Sequence, residues 1–204
     1  RGIDPNTGYD TIQFSGMNVQ IVNGLGTTST TNGTGNLILG YNELREDGNI
    51  REGSHVLVIG PANNYTSSSH SGMVVGRRNE VSNRYASVLG GEYNLATGEG
   101  SVAIAGDHNQ SGGRFSVTVS GLGNVALAQR SVLVAGAIND TPSLGGDDSA
   151  ILGGRNNFTQ GAFSAITGGE WNYAGAWGAV VSGGYNRQAL GQYDWVAGDY
   201  YQDQ

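Results

Sequence analysis

A fifteen-residue repeat constrains the fold of this chain more than any other feature. In each repeat a short apolar run ends in glycine, and an asparagine follows after two variable residues; "ASVLGGEYNLATGEGSVAIAGDHNQ" at 86–110 contains the pattern twice. A constant register over so many residues indicates a repeat architecture, and one longer step, at "DTPSLGGDD", is interpreted as a loop insertion. The repeat asparagines are assigned to Asn64, Asn79, Asn94, Asn109, Asn124, Asn139, Asn157, Asn172 and Asn186.

The repeat predicts short strands joined by tight turns. The chain contains 36 glycines in 204 residues, a density that opposes helix formation, and its apolar runs are bounded by Gly and Asn as strands are. Fifteen residues accommodate two strands and two turns, so we predict an all-β parallel solenoid with coils about 4.8 Å apart. Gly is expected at positive φ, and Asn tolerates that region and can stack as a ladder along a turn.

Such a coil has a narrow interior, and we expect alanines to fill it: Ala103, Ala105, Ala135 and Ala165. A chain with so many small residues buries a thin core, which predicts that a further apolar face is covered by self-association into a homotrimer. We divide the chain into an irregular, strand-bearing lead-in at 1–35, solenoid coils at 36–190 and a C-terminal cap at 191–204. Large rings such as that of Trp195 are expected to close the open end of a solenoid.

Charge and cysteine content exclude several classes of function. The net charge is −7 and all ten cationic residues are arginines that are scattered along the chain, so we predict no nucleic-acid partner. The absence of cysteine excludes disulfides and thiolate metal sites. No apolar run reaches the roughly 20 residues of a membrane helix, which predicts no membrane insertion of this segment. A Cys-free chain rich in Gly and Asn is typical of an exported protein.

Four segments resemble a known family: "ASVLGG" (86–91), "NLATGEGS" (94–101), "SVAIAG" (101–106) and "SVLVAG" (131–136). They are similar to the head repeats of trimeric autotransporter adhesins, the YadA-like head, and the similarity extends over about 70–190. The resemblance implies a left-handed parallel β-roll, a homotrimer and a place on an extracellular adhesive fibre, at the cell surface or secreted. The repeat here is fifteen residues with Asn, where the family runs near fourteen, often with Ser or Ala, and the chain shows no heptad stalk or anchoring strands.

Aromatic residues provide the candidate ligand-binding positions. Ten of the seventeen aromatic residues, including every Trp, fall within 158–204. Exposed rings beside Asn, Asp and Gln are suited to stacking on a glycan or gripping a protein, although rings at a solenoid end can equally serve as a cap. Trp171 and Tyr185 are expected in an outward turn directly before the repeat asparagine. The candidate site residues are Trp171, Trp177, Tyr185, Tyr93 and His108.

The sequence gives less support to catalysis, metal binding or cofactor binding than to ligand binding by aromatic residues. Glu92 and Asp107 lie one coil apart and could approach the carboxylate separation of a glycosidase, but a solvated acidic stripe explains them equally well. The three histidines come from different coils, and no nucleotide loop or calcium-binding nonapeptide repeat is present. We therefore predict a non-enzymatic adhesive head with no catalytic residue, metal or cofactor. The alternatives are a rigid spacer without a ligand, a phage-type tail-fibre segment and a carbohydrate-active enzyme on a solenoid.

Overall fold

The computed structural model describes residues 2–198, which form strands, turns and irregular segments without a helix. The lead-in begins with a short antiparallel pair, β1 (Gly2–Ile3) and β2 (Asp10–Thr11). An irregular segment follows, in which the buried Asn23 donates from its side-chain amide to the carbonyl oxygen of Thr30 at 2.8 Å. The sheets of the solenoid start directly after this segment.

Two parallel sheets form the solenoid. The larger sheet contains β3 (Leu37–Leu39), β4 (Leu57–Ile59), β6 (Met73–Arg77), β8 (Ser87–Glu92), β10 (Val102–Ile104), β12 (Val117–Val119), β14 (Val132–Leu133), β16 (Ala150–Ile151), β18 (Ala165–Ile166), β20 (Val180–Val181) and β22 (Trp195–Val196). The smaller sheet contains β5 (Asn64–Tyr65), β7 (Glu80–Val81), β9 (Leu95–Ala96), β11 (Gln110–Ser111), β13 (Val125–Ala126), β15 (Asp140–Thr141), β17 (Phe158–Thr159), β19 (Tyr173–Ala174) and β21 (Gln188–Ala189).

Nine coils contribute one strand to each sheet, the larger sheet has one further strand at either end (β3 and β22), and each coil stacks on the next in parallel register. Val102 pairs with Val117, for example, and Gln110 pairs with Val125, each fifteen residues further along the chain. The result is a parallel β-solenoid of about nine turns, which confirms the all-β prediction of two strands and two turns per coil. The eighteen-residue coil keeps the same pairing, since Val132 pairs with Ala150 and its extra residues lie in the loop between β15 and β16.

Asparagines form a buried ladder on one side of the interior, and its members correct the assignment from the sequence at both ends. The first member is Asn63, not Asn64, because the Oδ1 of Asn63 accepts the backbone N–H of Asn79. At the other end the equivalent position is Arg187, not Asn186, since the Oδ1 of Asn172 accepts the N–H of Arg187. The ladder asparagines are at most 1% exposed: Asn63, Asn79, Asn94, Asn109, Asn124, Asn139, Asn157 and Asn172.

Each ladder side chain joins its own coil to the next one. The Oδ1 of Asn109 accepts the N–H of Asn124 at 3.0 Å, while its Nδ2 donates to the carbonyl oxygens of Ala105 and Gly121. The backbone N–H of Asn109 donates in turn to Asn94. Positive φ falls on the residue before each asparagine and not on the asparagine itself, so the ladder serves hydrogen bonding and not an unusual backbone conformation.

Glycine is required three residues before the ladder asparagine because successive coils touch there. Gly106 has φ +78°, and a Cβ at this position would overlap the carbonyl oxygen of Gly121 in the next coil and the side-chain amide of Asn109. Backbone atoms of a stacked neighbour cannot move aside as a side chain can. The conserved spacing of Gly and Asn in the repeat therefore describes one structural unit of the turn.

One side chain per strand fills the interior. Among the alanines expected there, only Ala103 is fully buried; Ala165 alternates with the inward Ile166, and Ala105 and Ala135 lie half-buried in turns. The apolar interior consists of two clusters, over 56–103 and 126–189. Between them the interior is polar, with the hydroxyls of Ser111 and Thr118 hydrogen-bonded at 2.7 Å.

The C-terminal end continues the solenoid as far as residue 198. Within the predicted cap at 191–204, Trp195–Val196 forms the last strand of the larger sheet and pairs with Val180–Val181. Trp195 is 70% exposed, and its indole N–H donates to the hydroxyl of Ser182. Residues 199–204 of the predicted cap, with Tyr200 and Tyr201, lie outside the described residues, as does Arg1 of the lead-in.

Candidate functional site

The solenoid has two edges, where the chain turns between the sheets. We call the edge formed by turns such as 105–109, which end at a ladder asparagine, the Asn edge. We call the edge formed by turns such as 112–116 the Ser edge, because a buried serine or alanine stands at the end of most of these turns. The residue before each ladder asparagine on the Asn edge, and the residue before the buried serine or alanine on the Ser edge, has positive φ and, where it is not glycine, projects its side chain outward, so each edge displays a column of variable side chains.

The Asn edge places two of the predicted site residues together. Tyr93 and His108 stack with ring centroids 4.6 Å apart and planes inclined by 23°. The guanidinium of Arg78 lies 5.4 Å from the Tyr93 ring centroid and donates to the Tyr93 hydroxyl. The Nδ1 of His108 is hydrogen-bonded to the Oδ1 of Asp107 at 2.6 Å. Aromatic and cation–π contacts thus order this part of the edge.

The other predicted residues do not converge with that pair. Trp171 lies on the Asn edge four coils beyond His108 and is 53% exposed. Tyr185, 65% exposed, is one position earlier in its coil than the sequence register predicts, because it pairs with Glu170 and not with Trp171. Trp177 lies on the Ser edge, away from the other four residues. Four of the five positions therefore lie on the Asn edge, in two places several coils apart, and the fifth lies on the Ser edge.

Within residues 2–198, the Ser edge carries the largest group of exposed aromatic rings in contact with one another. Trp177 contacts Phe163 on one side, with centroids 5.2 Å apart, and Tyr193 on the other, with centroids 4.8 Å apart. The three rings are 55%, 41% and 67% exposed for Phe163, Trp177 and Tyr193. We call this group the aromatic cluster. The rings meet edge to face, and each is exposed enough to present part of a face to solvent.

The geometry of the aromatic cluster follows from the repeat. Phe163 and Tyr193 occupy the positive-φ position two coils apart, and the intermediate coil has Gly178 there. The Tyr193 ring lies 2.9 Å from where a Cβ of Gly178 would stand, so the ring leans over the glycine and meets Trp177. The spacing of fifteen residues between 163, 178 and 193 is visible in the sequence, and this signal could have added Phe163 and Tyr193 to the candidate site.

Ion pairs link neighbouring coils elsewhere on the Ser edge. Glu99 lies between Arg84 and Arg114 of the adjacent coils, and hydrogen bonding from Arg84 lowers the pKa of Glu99 below its usual range. Arg130 binds Asp148 through two hydrogen bonds of 2.6 and 2.7 Å, which lower the pKa of that carboxyl. These carboxylates are held in their ionised form by arginines, which suits a structural role in linking coils.

The carboxylates considered for catalysis also have partners. Glu92 and Asp107 are bridge partners in adjacent coils, as their spacing predicts, but Glu92 is paired with Arg77 and Asp107 with His108. Residues 2–198 contain no group of three or more His, Cys, Asp or Glu side chains that could hold a metal ion. Over the same range, no helix is long and apolar enough to span a membrane.

One carboxyl lacks a partner for a buried oxygen. Asp140 lies on the outer face of the smaller sheet, between Val125 and Phe158 of the neighbouring coils. Its Oδ1 is buried without a hydrogen-bond donor, and burial raises the pKa of this carboxyl above its ordinary value. Apolar neighbours on both sides explain this effect, because they remove water without supplying a donor.

In comparison with known proteins, the chain matches no family model. It has no significant match among curated proteins either.

Proposed function

We propose that this chain is the adhesive head of a homotrimeric fibre at a cell surface or in the secreted state, and that it binds a glycan through the aromatic cluster. The resemblance of 86–136 to YadA-like head repeats implies the trimer and a left-handed solenoid. The observation that carries the binding proposal is the cluster of Phe163, Trp177 and Tyr193, three packed and exposed rings on one edge.

The outer face of the larger sheet supports self-association. Two columns of outward side chains run along this face, and among them Leu89, Val134 and Leu152 are 39%, 36% and 51% exposed. A monomeric protein rarely exposes a continuous apolar face of this kind. The outer face of the smaller sheet differs, since polar residues such as Glu80, Gln110, Asp140 and Gln188 recur along it. The larger sheet is therefore the face that a second and third copy would cover.

Light scattering on the purified chain tests the trimer. We expect a particle of about 63 kDa, three times the 21.1 kDa of the chain, at micromolar concentration. Leu89→Asp places a charge on the apolar face and should yield monomers, whereas Gln110→Glu on the smaller sheet should leave the mass unchanged. A wild-type protein that remains at 21 kDa would refute the trimer and leave the binding proposal to be tested on the monomer.

A glycan ligand fits the aromatic cluster for physical reasons. Sugar rings present apolar C–H faces that pack on aromatic rings, and neighbouring polar groups can hydrogen-bond to their hydroxyls. Gln160, on the same side of the solenoid, already bonds to the Tyr173 hydroxyl, so polar groups lie near the cluster. Three copies on a trimer would combine weak single-site contacts into strong surface attachment.

A glycan array followed by titration tests this proposal. We expect saturable binding to a subset of glycans, and a loss of about tenfold or more in affinity for Trp177→Ala, as is usual for a central aromatic anchor. Trp171→Ala is the matched control, because it removes an exposed Trp of the Asn edge and should leave binding unchanged. Binding that depends on Trp171 and not on Trp177 would place the site elsewhere, and an array without any ligand would favour the rigid spacer.

A further inference from the structure

The column of outward side chains on the Asn edge has one missing member. Its positions are the positive-φ residues directly before the ladder asparagines, and bulky or polar side chains occupy most of them, but the fifth has only a hydrogen: Ala62, Arg78, Tyr93, His108, Gly123, Ile138, Asn156, Trp171 and, in the next coil, Asn186. At Gly123 the column therefore has a gap one coil high, between His108 and Ile138. We call this gap the Gly123 notch.

The His108 ring forms a flat wall of the notch. Its distance of 4.6 Å from the Tyr93 ring is close to the rise of about 4.8 Å per coil, so the two rings lie roughly across the solenoid axis. One face of His108 is covered by Tyr93, and the other is directed toward Gly123. At the far end of this stack the face of Tyr93 is covered by the guanidinium of Arg78.

The notch is open, unlike the equivalent gaps on the Ser edge. There, a Cβ at Gly100 would lie 2.6 Å from the Phe115 ring and one at Gly178 would lie 2.9 Å from the Tyr193 ring, so aromatic rings fill both gaps. A Cβ at Gly123 would meet, apart from its chain neighbours, only one atom of the described residues within 4 Å, a side-chain carbon of Ile138 at 3.9 Å. The layers of His108 and Ile138 are two coils apart, about 9.6 Å, which leaves room for one planar group between them.

A carboxylate without an arginine lies beside the notch. One position before this column, residues of successive coils are paired through their backbones, and Glu92, Asp107 and Glu170 are among them. The carboxylates of Glu92 and Glu170 each form an ion pair with an arginine, Arg77 and Arg155 respectively. The carboxylate of Asp107 contacts the Nδ1 of His108 and forms no ion pair with an arginine of the described chain. Its side chain is 51% exposed. The notch thus combines a flat ring face with an accessible negative charge.

We propose that the Gly123 notch binds the guanidinium group of an arginine side chain of a partner protein. A guanidinium is planar and cationic, so it can stack on the His108 ring and donate to Asp107 at the same time. The chain itself contains the equivalent contact twice, with Arg78 over Tyr93 and Arg114 over Phe115 at 4.7 Å. This site lies on the opposite edge from the aromatic cluster, so it does not rest on the glycan proposal.

Nuclear magnetic resonance of the protein labelled at histidine tests the site, because the chain has three histidines and their ring signals are easily assigned. The probe is acetyl-Gly-Arg-Gly-amide, with acetyl-Gly-Lys-Gly-amide as the matched control. We expect saturable shifts of the His108 ring with the arginine peptide, and affinity about threefold to tenfold weaker for the lysine peptide, because an ammonium has no flat face to stack. His70, which is buried and far along the chain, should not respond.

Two variants test the geometry. Gly123→Asn fills the notch with a side chain. Asn is suited to this position because Asn156 and Asn186 have the same positive φ in their own coils. The variant should reduce arginine binding about tenfold or more. Asp107→Asn removes the charge and should weaken binding about threefold to tenfold. Asn186→Gly, at the same position of a distant coil, is the control and should have no effect. Circular dichroism confirms that each variant is folded, and Ile138→Ala, which removes the other wall, replaces Gly123→Asn if that variant does not fold.

The outcomes are distinct. Equal shifts with the two peptides, or unchanged arginine binding in Gly123→Asn, would overturn the proposal. Shifts of His108 by free N-acetylglucosamine without any effect of the arginine peptide would also overturn it and assign the notch to a sugar. Loss of arginine binding in Asp107→Asn and Gly123→Asn, with glycan binding at Trp177 retained, would support the notch independently of the aromatic cluster.

Discussion

The Asn edge and the Ser edge both reverse the chain between the two sheets, but they use different hydrogen bonds to do so. On the Asn edge the side chain of Asn109 links its own turn to the next coil, and the side chain of Asn94 in the preceding coil accepts the backbone N–H of Asn109. On the Ser edge the hydroxyl of Ser101 bonds only within its own turn, to the carbonyl oxygen of Gly98, and the hydroxyl of Ser116 is buried without a partner.

This difference separates the positions that stabilise the stack of coils from the positions that carry variable side chains. Gly and Asn recur in every regular coil of the Asn edge because the Gly packs against the next coil and the Asn hydrogen-bonds to it. Variation on this edge is confined to the two residues between them. The Ser edge tolerates Ala, Ser and, at the eighteen-residue coil, an insertion. An edge whose coils are linked by exposed ion pairs, and not by buried hydrogen bonds in every coil, can accept new side chains and loops more readily, which fits the position of the aromatic cluster there.

The largest effect is expected for Gly106→Ala on the Asn edge. The new Cβ would overlap the backbone oxygen of Gly121, and alanine is strained at φ +78°, so we expect a loss of about 4 kcal/mol in the free energy of unfolding. Gly100→Ala on the Ser edge is the matched control; its Cβ meets the Phe115 ring, which can rotate, and we expect about 1 kcal/mol. Chemical denaturation at equal protein concentration measures both, and similar losses would remove the distinction between the edges.

The next largest effect is expected for Asn109→Ala. This change leaves the buried N–H of Asn124 and the carbonyl oxygen of Ala105 without their partner, and each such group costs about 1 to 3 kcal/mol, so we expect about 3 kcal/mol in total. Asn186→Gly is the control, because Asn186 is exposed, lies outside the ladder and has positive φ; it should change stability by no more than about 0.5 kcal/mol. Hydrogen exchange should show faster exchange of the Asn124 amide in Asn109→Ala.

The sequence predicts the regular part of this fold well and its ends less well. Equal spacing identified Asn109 and its neighbours because nothing interrupts their register. It failed at Asn63 because "NN" offers two candidates and the following coil is sixteen residues long, and at Asn186 because an arginine occupies the ladder position. A local pattern identifies a turn but does not show which of two adjacent residues points inward.

The sequence indicated that exposed aromatic residues form the candidate site, but it did not indicate which rings contact one another. The concentration of aromatic residues near the C-terminus identified Trp177 as a candidate, but its contacts with Phe163 and Tyr193 depend on which edge each turn occupies. The same limit explains why Trp171 and Trp177, six residues apart, lie on different edges. The interior shows it as well, since Ala165 and Ile166 alternate between outside and inside, and the sequence does not indicate which of them is buried.

A smaller effect, of opposite sign, is expected for Asp140→Asn. Asp140 directly follows the ladder residue Asn139 but its Oδ1 has no donor, and burial raises its pKa, so the ionised form is penalised in the folded state. The penalty is present at neutral pH and disappears as the pH falls below the folded-state pKa, where the carboxyl is protonated. We expect Asp140→Asn to stabilise the protein by about 0.5 to 1 kcal/mol at pH 7 and to have little effect near pH 3. A stabilisation that is equal at both pH values would contradict this origin.

The smallest effect is expected for Ser116→Ala on the Ser edge. Its hydroxyl is buried and has no hydrogen-bond partner, so its removal eliminates a desolvated polar group and opens only a small cavity. The two contributions oppose each other, and we expect a change within about 0.5 kcal/mol, in either direction. Ser131→Ala is the informative companion, because its hydroxyl donates to the carbonyl oxygen of Ala128 and accepts from Thr141, and it should cost about 1 kcal/mol. If Ser116→Ala were as costly as Asn109→Ala, the Ser edge would link the coils as strongly as the Asn edge, and the proposed division between a structural and a variable edge would not hold.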